Sequence, residues 1–138
     1  MKPMSDSVFL DTNILVYSYS SNEIEKQIIA RKLITENNTF ISTQVLQELT
    51  NIITRKFKFS YIDAQVAMKE SCQNNYLHTN SYKTILDACR IAQQNGFSFY
   101  DSLIISAAIG CSCGILYSED MNNGQIIDNK IKIINPFS

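Results

Sequence analysis

The chain is poor in the residues that most often announce a function. Histidine occurs once in 138 residues, as His78. With no companion histidine, a Ser–His–Asp triad and a histidine-rich metal site are both excluded. His78, between Leu77 and Thr79, reads as a strand or surface residue. Neither sign of charge dominates: 12 basic and 13 acidic side chains leave a net charge of −1. That balance excludes a strongly basic nucleic-acid coat and an acidic tail, and leaves room for a local basic patch. Long apolar runs are lacking too. The longest, Leu103 to Tyr117, is broken by Ser and Gly and is too short to span a bilayer. The apolar stretch before Asp11 is too short for a secretory leader. A soluble chain of the cytoplasm is therefore expected, with no membrane partner.

Proline occurs twice and glycine four times, and no repeat or low-complexity tract is present, so nothing reads as a linker. Residues 1–138 are expected to form a single domain, with enough apolar side chains (45%) for one sizeable core. Four cysteines, Cys72, Cys89, Cys111 and Cys113, follow no zinc-finger spacing. Without a secretion signal they do not imply disulfides. Cys111 and Cys113 read as small buried side chains near a helix end.

Strand and helix signals alternate along the chain. Val8 to Leu10 is a short apolar run ended by Asp-Thr-Asn, a buried strand entering a helix start. Helical spacing follows over Ile14 to Tyr19 and Glu23 to Glu36, the latter with Ile24, Ile28 and Leu33 in register. Thr39 to Ser42 reads as a second strand. Ser42 or Thr43 then caps a helix through Lys56 that buries Val45, Leu46, Leu49, Ile52 and Ile53. Ser60 caps a helix to about Asn74, with Ile62, Val66 and Ala67 inward. Tyr76 to His78 is a third strand, and a helix from Tyr82 to Gln94 is stopped by Gly96. Asp101 opens an apolar, deeply buried helix to Ile109. Ile115 to Tyr117 and Ile131 to Ile134 close the list as strands. Short apolar strands separated by helices predict a three-layer α/β/α sandwich around a mainly parallel sheet of about five strands.

Acidic residues fall where such a fold would use them. Asp11 follows strand one directly, and Glu119 and Asp120 follow the Ile115 to Tyr117 strand after Ser118. Ligands in open α/β sheets bind at the carboxyl ends of strands where the strand order reverses. If those two strands are neighbours, Asp11 and Asp120 face one crevice. Asp101, at the start of the buried helix, and Glu48, on an otherwise apolar helix, could reach it. Each has a plain alternative. Asp11 and Asp101 could be helix caps, Glu48 a solvated side chain, and Glu119-Asp120 turn residues. Four converging carboxylates would repel one another unless a positive group sat between them. A hard divalent cation with oxygen ligands, Mg²⁺ or Mn²⁺, suits that role, and phosphate chemistry suits that cation.

Four segments then resemble one known family. Val8-Phe9-Leu10-Asp11-Thr12-Asn13-Ile14-Leu15 is similar to the opening of a PIN domain. Val45-Leu46-Gln47-Glu48-Leu49 resembles its glutamate helix. Tyr100-Asp101-Ser102-Leu103-Ile104-Ile105-Ser106-Ala107-Ala108 resembles its third motif, and Ile115-Leu116-Tyr117-Ser118-Glu119-Asp120-Met121 its fourth. Order, separations and length agree over essentially the whole chain. The nearest type is the stand-alone bacterial one, the VapC-like toxins of toxin–antitoxin pairs.

The resemblance implies a Mg²⁺- or Mn²⁺-dependent endoribonuclease. Asp11, Glu48, Asp101 and Asp120 fall on its catalytic and metal-holding acids, and Thr12, Asn13, Ser118 and Glu119 on supporting polar positions. Asp120 is preferred to Glu119 as the fourth acid because the family it resembles more often carries its acid or amide two residues after the Ser or Thr, here Ser118. The implied reaction is in-line attack of an activated water on a phosphodiester, leaving a 5′-phosphate. The implied partners are RNA, a cognate antitoxin and a second copy of the chain. Tyr17, Tyr19, Ile28 and Ile29 are the apolar surplus an antitoxin tail would cover. Arg55, Lys56 and Lys58, interleaved with Phe57 and Phe59, are either an RNA-backbone contact or cations complementing a helix end.

Other classes fit less well. A haloacid-dehalogenase phosphatase needs a second Asp where Asn13 stands, and a receiver domain needs an acidic pair and a late-strand Lys that are not evident. A non-catalytic or non-toxin PIN-like module for RNA binding or processing remains the alternative, although such modules usually lack one or more of the acids.

Overall fold

A computed structural model describes residues 7–138. Residues 1–6, part of the stretch read for a leader, lie outside the described residues. β1 (Ser7–Leu10) is buried at every position, as a strand covered on both faces must be. The chain continues as α1 (Thr12–Tyr19), α2 (Ile24–Glu36), β2 (Asn38–Ser42), α3 (Thr43–Arg55), α4 (Tyr61–Asn74) and β3 (Tyr76–His78). It then forms α5 (Tyr82–Asn95), α6 (Phe99–Gly110), β4 (Ile115–Tyr117), β5 (Ile126–Ile127) and β6 (Ile131–Ile134).

The sheet has six strands in the order β3-β2-β1-β4-β6-β5, all neighbours parallel except β5 against β6. The expected parallel α/β architecture is present, with one strand more than the five or so expected. The addition, β5, is two residues long. From β1 the chain steps outward to β2 and β3, then returns to β4 on the other side of β1. Right-handed crossovers put α1–α4 on one face and α5–α6 on the other. The reversal falls between β1 and β4, whose register pairs Leu10 with Tyr117.

The core gathers Phe9, Leu10, Ile41, Leu116 and Ile133 from the sheet, Val45, Leu49 and Ile53 from α3, and Ile104, Ile105, Ala107 and Ala108 from α6. Each large aliphatic among them stabilises the fold by about 1.5–3 kcal/mol relative to exposure. α3 is amphipathic as the sequence predicts, although Leu46 and Ile52 are only half-buried.

One helix departs from expectation. In α4 the buried residues are Ala64, Ala67 and Ser71, whereas Ile62 and Val66 face solvent. In α2 only Ala30 is buried, and Ile24 and Ile28 are exposed. Small side chains let these helices lie close to their neighbours, which turns the larger apolar ones outward. α5 ends as predicted, with Gly96 in the left-handed region (φ 75°) that a β-carbon would disfavour. Among the described residues no helix is long and apolar enough to cross a membrane.

Candidate active site

The β1–β4 register builds the site. Because Leu10 pairs with Tyr117, the next residues, Asp11 and Ser118, stand side by side, and the Asp11 N–H donates to the Tyr117 carbonyl at 3.0 Å. Ser118 Oγ then donates to Asp11 Oδ2 at 2.8 Å. The other oxygen, Oδ1, accepts from the backbone N–H of Thr12 at 2.7 Å and caps α1. Asp11 is thus a helix cap and a crevice residue at once. Its burial pushes the carboxyl pKa up to about 6. The bonds from Ser118 and Thr12 oppose that rise, and the charges of Glu48 and Asp101 add to it.

Glu48 comes from α3, which starts directly at the carboxyl end of β2 with Ser42 as its cap. Its Oε1 accepts from Thr12 Oγ1 at 2.5 Å. One turn earlier on the same face lies Gln44, whose Nε2 reaches Glu48 Oε2 at 3.5 Å and the Tyr100 carbonyl at 3.0 Å. Gln44 Oε1 is buried without a hydrogen-bond partner. Gln44 was missed in the sequence, and its four-residue spacing from Glu48 is the signal that could have found it.

α6 is opened by Ser98, not by Asp101: Ser98 Oγ accepts from the Asp101 N–H at 3.1 Å. Asp101 occupies the third helical position, where a carboxylate is favoured by the helix dipole and its side chain is released from capping. No cap role competes with its place in the crevice.

The two acids after β4 part company. Asp120 Oδ2 accepts from Asn13 Nδ2 at 2.5 Å, and the Asp120 N–H donates to Ser118 Oγ at 3.3 Å. Glu119 turns to the other side, where Lys26 Nζ meets Oε2 at 2.7 Å and Tyr17 OH donates to Oε1 at 2.6 Å.

Asp11, Glu48, Asp101 and Asp120 line one cavity of about 310 Å³, together with Thr12, Asn13, Gln44, Asn51, Ile52 and Ile104. Among the described residues no basic side chain lines it. Glu119 does not belong to it. The donors are all oxygen and amide groups, with no sulfur or imidazole, which suits a hard divalent cation. Among the described residues no three such side chains close tightly enough to hold an ion by themselves. Mg²⁺ keeps several of its waters and is commonly held by only one or two carboxylates.

Arg55, Lys56 and Lys58 are exposed at the end of α3 and beyond, outside the cavity lining, while Phe57 and Phe59 between them pack on the core. Arg55 lies seven residues after Glu48, two turns along the same helix face. His78 ends β3, half-buried, with Nε2 3.2 Å from Thr84 Oγ1, and has no place in the cavity. All four cysteines are free: Cys113 is buried and Cys111 half-buried, as expected, but Cys72 and Cys89 are exposed.

Solved structures with the same fold have low identity to the chain. VapC20 of Mycobacterium tuberculosis, described as a sarcin-ricin loop cleaving toxin, superposes with a TM-score of 0.67 at 15% identity, covering 83% of this chain and 91% of its own. VapBC2 of Rickettsia felis, crystallised with a DNA fragment from its promoter, gives 0.67 at 22% identity over 94% and 99%. FitAcB of Neisseria gonorrhoeae gives 0.63 at 15% identity over 94% and 98%. No curated protein matches the chain. The family model of the PIN domain matches residues 8–122, a span that contains all four cavity acids, and the chain belongs to the PIN domain family.

Proposed function

We propose that this protein is a Mg²⁺- or Mn²⁺-dependent endoribonuclease and the toxin of a toxin–antitoxin pair. The observation that carries the reading is the cavity at the β1–β4 reversal, with four carboxylates on its lining and, among the described residues, no basic side chain to balance them. Asp11, Glu48, Asp101 and Asp120 are the residues that would hold the metal. A divalent cation bound there supplies positive charge for the phosphate oxygens and makes water a better nucleophile.

The remaining work is done by the polar neighbours. Ser118 and the Thr12 N–H fix the two oxygens of Asp11, the Thr12 hydroxyl fixes Glu48, and the Asn13 amide fixes Asp120. Carboxylates oriented before the substrate arrives need no rearrangement during reaction. No histidine takes part. Arg55, Lys56 and Lys58 are the side chains that would meet the RNA backbone, Arg55 first because it shares the helix face of Glu48.

A toxin role rests on the fold shared with VapC20 and VapBC2. An antitoxin tail would lie along α1 and α2. There Ile28 is exposed, and a cavity of about 530 Å³ opens among Leu15, Tyr19, Ile34 and Glu70. A second copy would cover the exposed Tyr82, Ile85 and Leu86, which form one stripe on α5. A non-catalytic RNA-binding module would have no use for four acids in one cavity.

The test is cleavage of RNA by the purified protein with Mg²⁺ or Mn²⁺, with EDTA, and with Asp11→Asn and Asp101→Asn. Cleavage lost on chelation and in both variants supports the reading. Undiminished cleavage by both variants overturns it.

A further inference from the structure

Glu119 is held more firmly than a residue in an exposed turn needs to be. Each of its oxygens is taken by a different helix: Oε2 by Lys26 of α2 at 2.7 Å, and Oε1 by Tyr17 of α1 at 2.6 Å. Lys26 Nζ also donates to Tyr17 OH at 3.2 Å. It lies 4.7 Å from the centroid of the Tyr17 ring and 5.5 Å from that of Phe137. The two rings meet edge to face at 5.1 Å. Phe137 follows β6, the strand beside β4, so α1 and α2 meet at the Glu119 carboxylate while the segment after the sheet packs against Tyr17 and Lys26.

The next residue is Asp120. Ser118, before the pair, is fixed by its N–H to the Ile134 carbonyl at 3.0 Å and by its hydroxyl to Asp11. Met121, after the pair, is buried. Between those anchors, a Glu119 drawn outward leaves Asp120 directed at Asn13 and the cavity. We infer that Lys26 and Tyr17 clamp Glu119 so that residues 118–121 hold Asp120 in the cavity, which makes Lys26 a positioning residue for the site. This rests on the reading of Asp120 as one of the metal-holding acids. Without the clamp, Asp120 loses its fixed orientation and Glu119 becomes a competing carboxylate on the same turn. An ordinary surface ion pair would have neither consequence.

The test compares Lys26→Met, Glu119→Gln, their double variant and Lys26→Arg. It measures amide hydrogen exchange of the metal-free protein and steady-state RNA cleavage with Mn²⁺. The clamp predicts faster exchange at residues 118–121 in Lys26→Met and unchanged exchange in β1. It also predicts kcat about tenfold to a hundredfold lower at unchanged KM. Because both groups serve one device, the double variant should be no worse than the worse single one. Lys26→Arg should restore most of the rate. Unchanged exchange at residues 118–121 in Lys26→Met overturns the clamp, and so does exchange that rises evenly over the whole chain. If the wild type cleaves no RNA, the nuclease reading fails, while the exchange measurement still decides the clamp.

Discussion

Two acids one residue apart meet opposite surroundings. Glu119 faces the Lys26 ammonium and the Tyr17 hydroxyl, whose hydrogen bonds keep its pKa below the usual glutamate range despite some burial. Asp120, bonded to the neutral Asn13 amide, faces a cavity it shares with Asp101 and with Asp11 and Glu48, which accept only from neutral donors. One side of the turn is electrostatically complete. The other carries a surplus of negative charge that folding alone does not require, and an external cation is what would complete it.

The sharpest way to break this contrast is to remove charge from the cavity. Asp11→Asn or Asp101→Asn should lower metal-dependent RNA cleavage by about two to four orders of magnitude, measured as single-turnover rates with Mn²⁺. A second effect has the opposite sign. Asp11 titrates near pH 6 when folded, above its ordinary value of 3.8. The stability linked to its protonated form is therefore present below about pH 4 and lost as pH rises through about 6. Asp11→Asn removes that loss while keeping an oxygen to cap α1. The rise from 3.8 to about 6 is worth about 3 kcal/mol, and the accepted bond that Asn cannot keep offsets about 1 kcal/mol of it. At pH 7.5 the metal-free variant should therefore be more stable than the wild type by about 2 kcal/mol, or roughly 6–10 °C in melting midpoint. The difference should vanish near pH 4, which melting curves across that range will show.

Mg²⁺ at about a hundred times its dissociation constant should stabilise the wild type by about 2.7 kcal/mol and Asp101→Asn by less, read from the same melts. On the completed side of the turn, Glu119→Gln should barely move the melting midpoint, because Lys26 and Glu119 pair in contact with solvent. The smallest effect belongs to His78→Ala, which should leave the cleavage rate unchanged.

The acid positions were more legible than the surfaces around them. Asp11 stands immediately after one short apolar strand and Asp120 three residues after the end of another, so a local pattern marks them. That α6 starts at Ser98 was also within reach, since Ser98 precedes Asp101 by the spacing of an N-cap. β5 was not, because two residues in an antiparallel edge carry no period. The outward Ile62 and Val66 misled because apolar periodicity says which residues share a face, not which face is buried. The contact of Lys26 with Glu119 spans 93 residues and leaves no local trace. Gln44 carries no charge to mark it in the sequence, and its place in the cavity follows from sharing a helix face with Glu48.

Soaking crystals of the protein with Mn²⁺ and recording anomalous scattering tests the central claim most directly. A peak is expected inside the cavity lined by Asp11, Glu48, Asp101 and Asp120, absent in Asp11→Asn crystals soaked alike. A cavity without a peak at saturating Mn²⁺, or a peak that persists unchanged in Asp11→Asn, would contradict it.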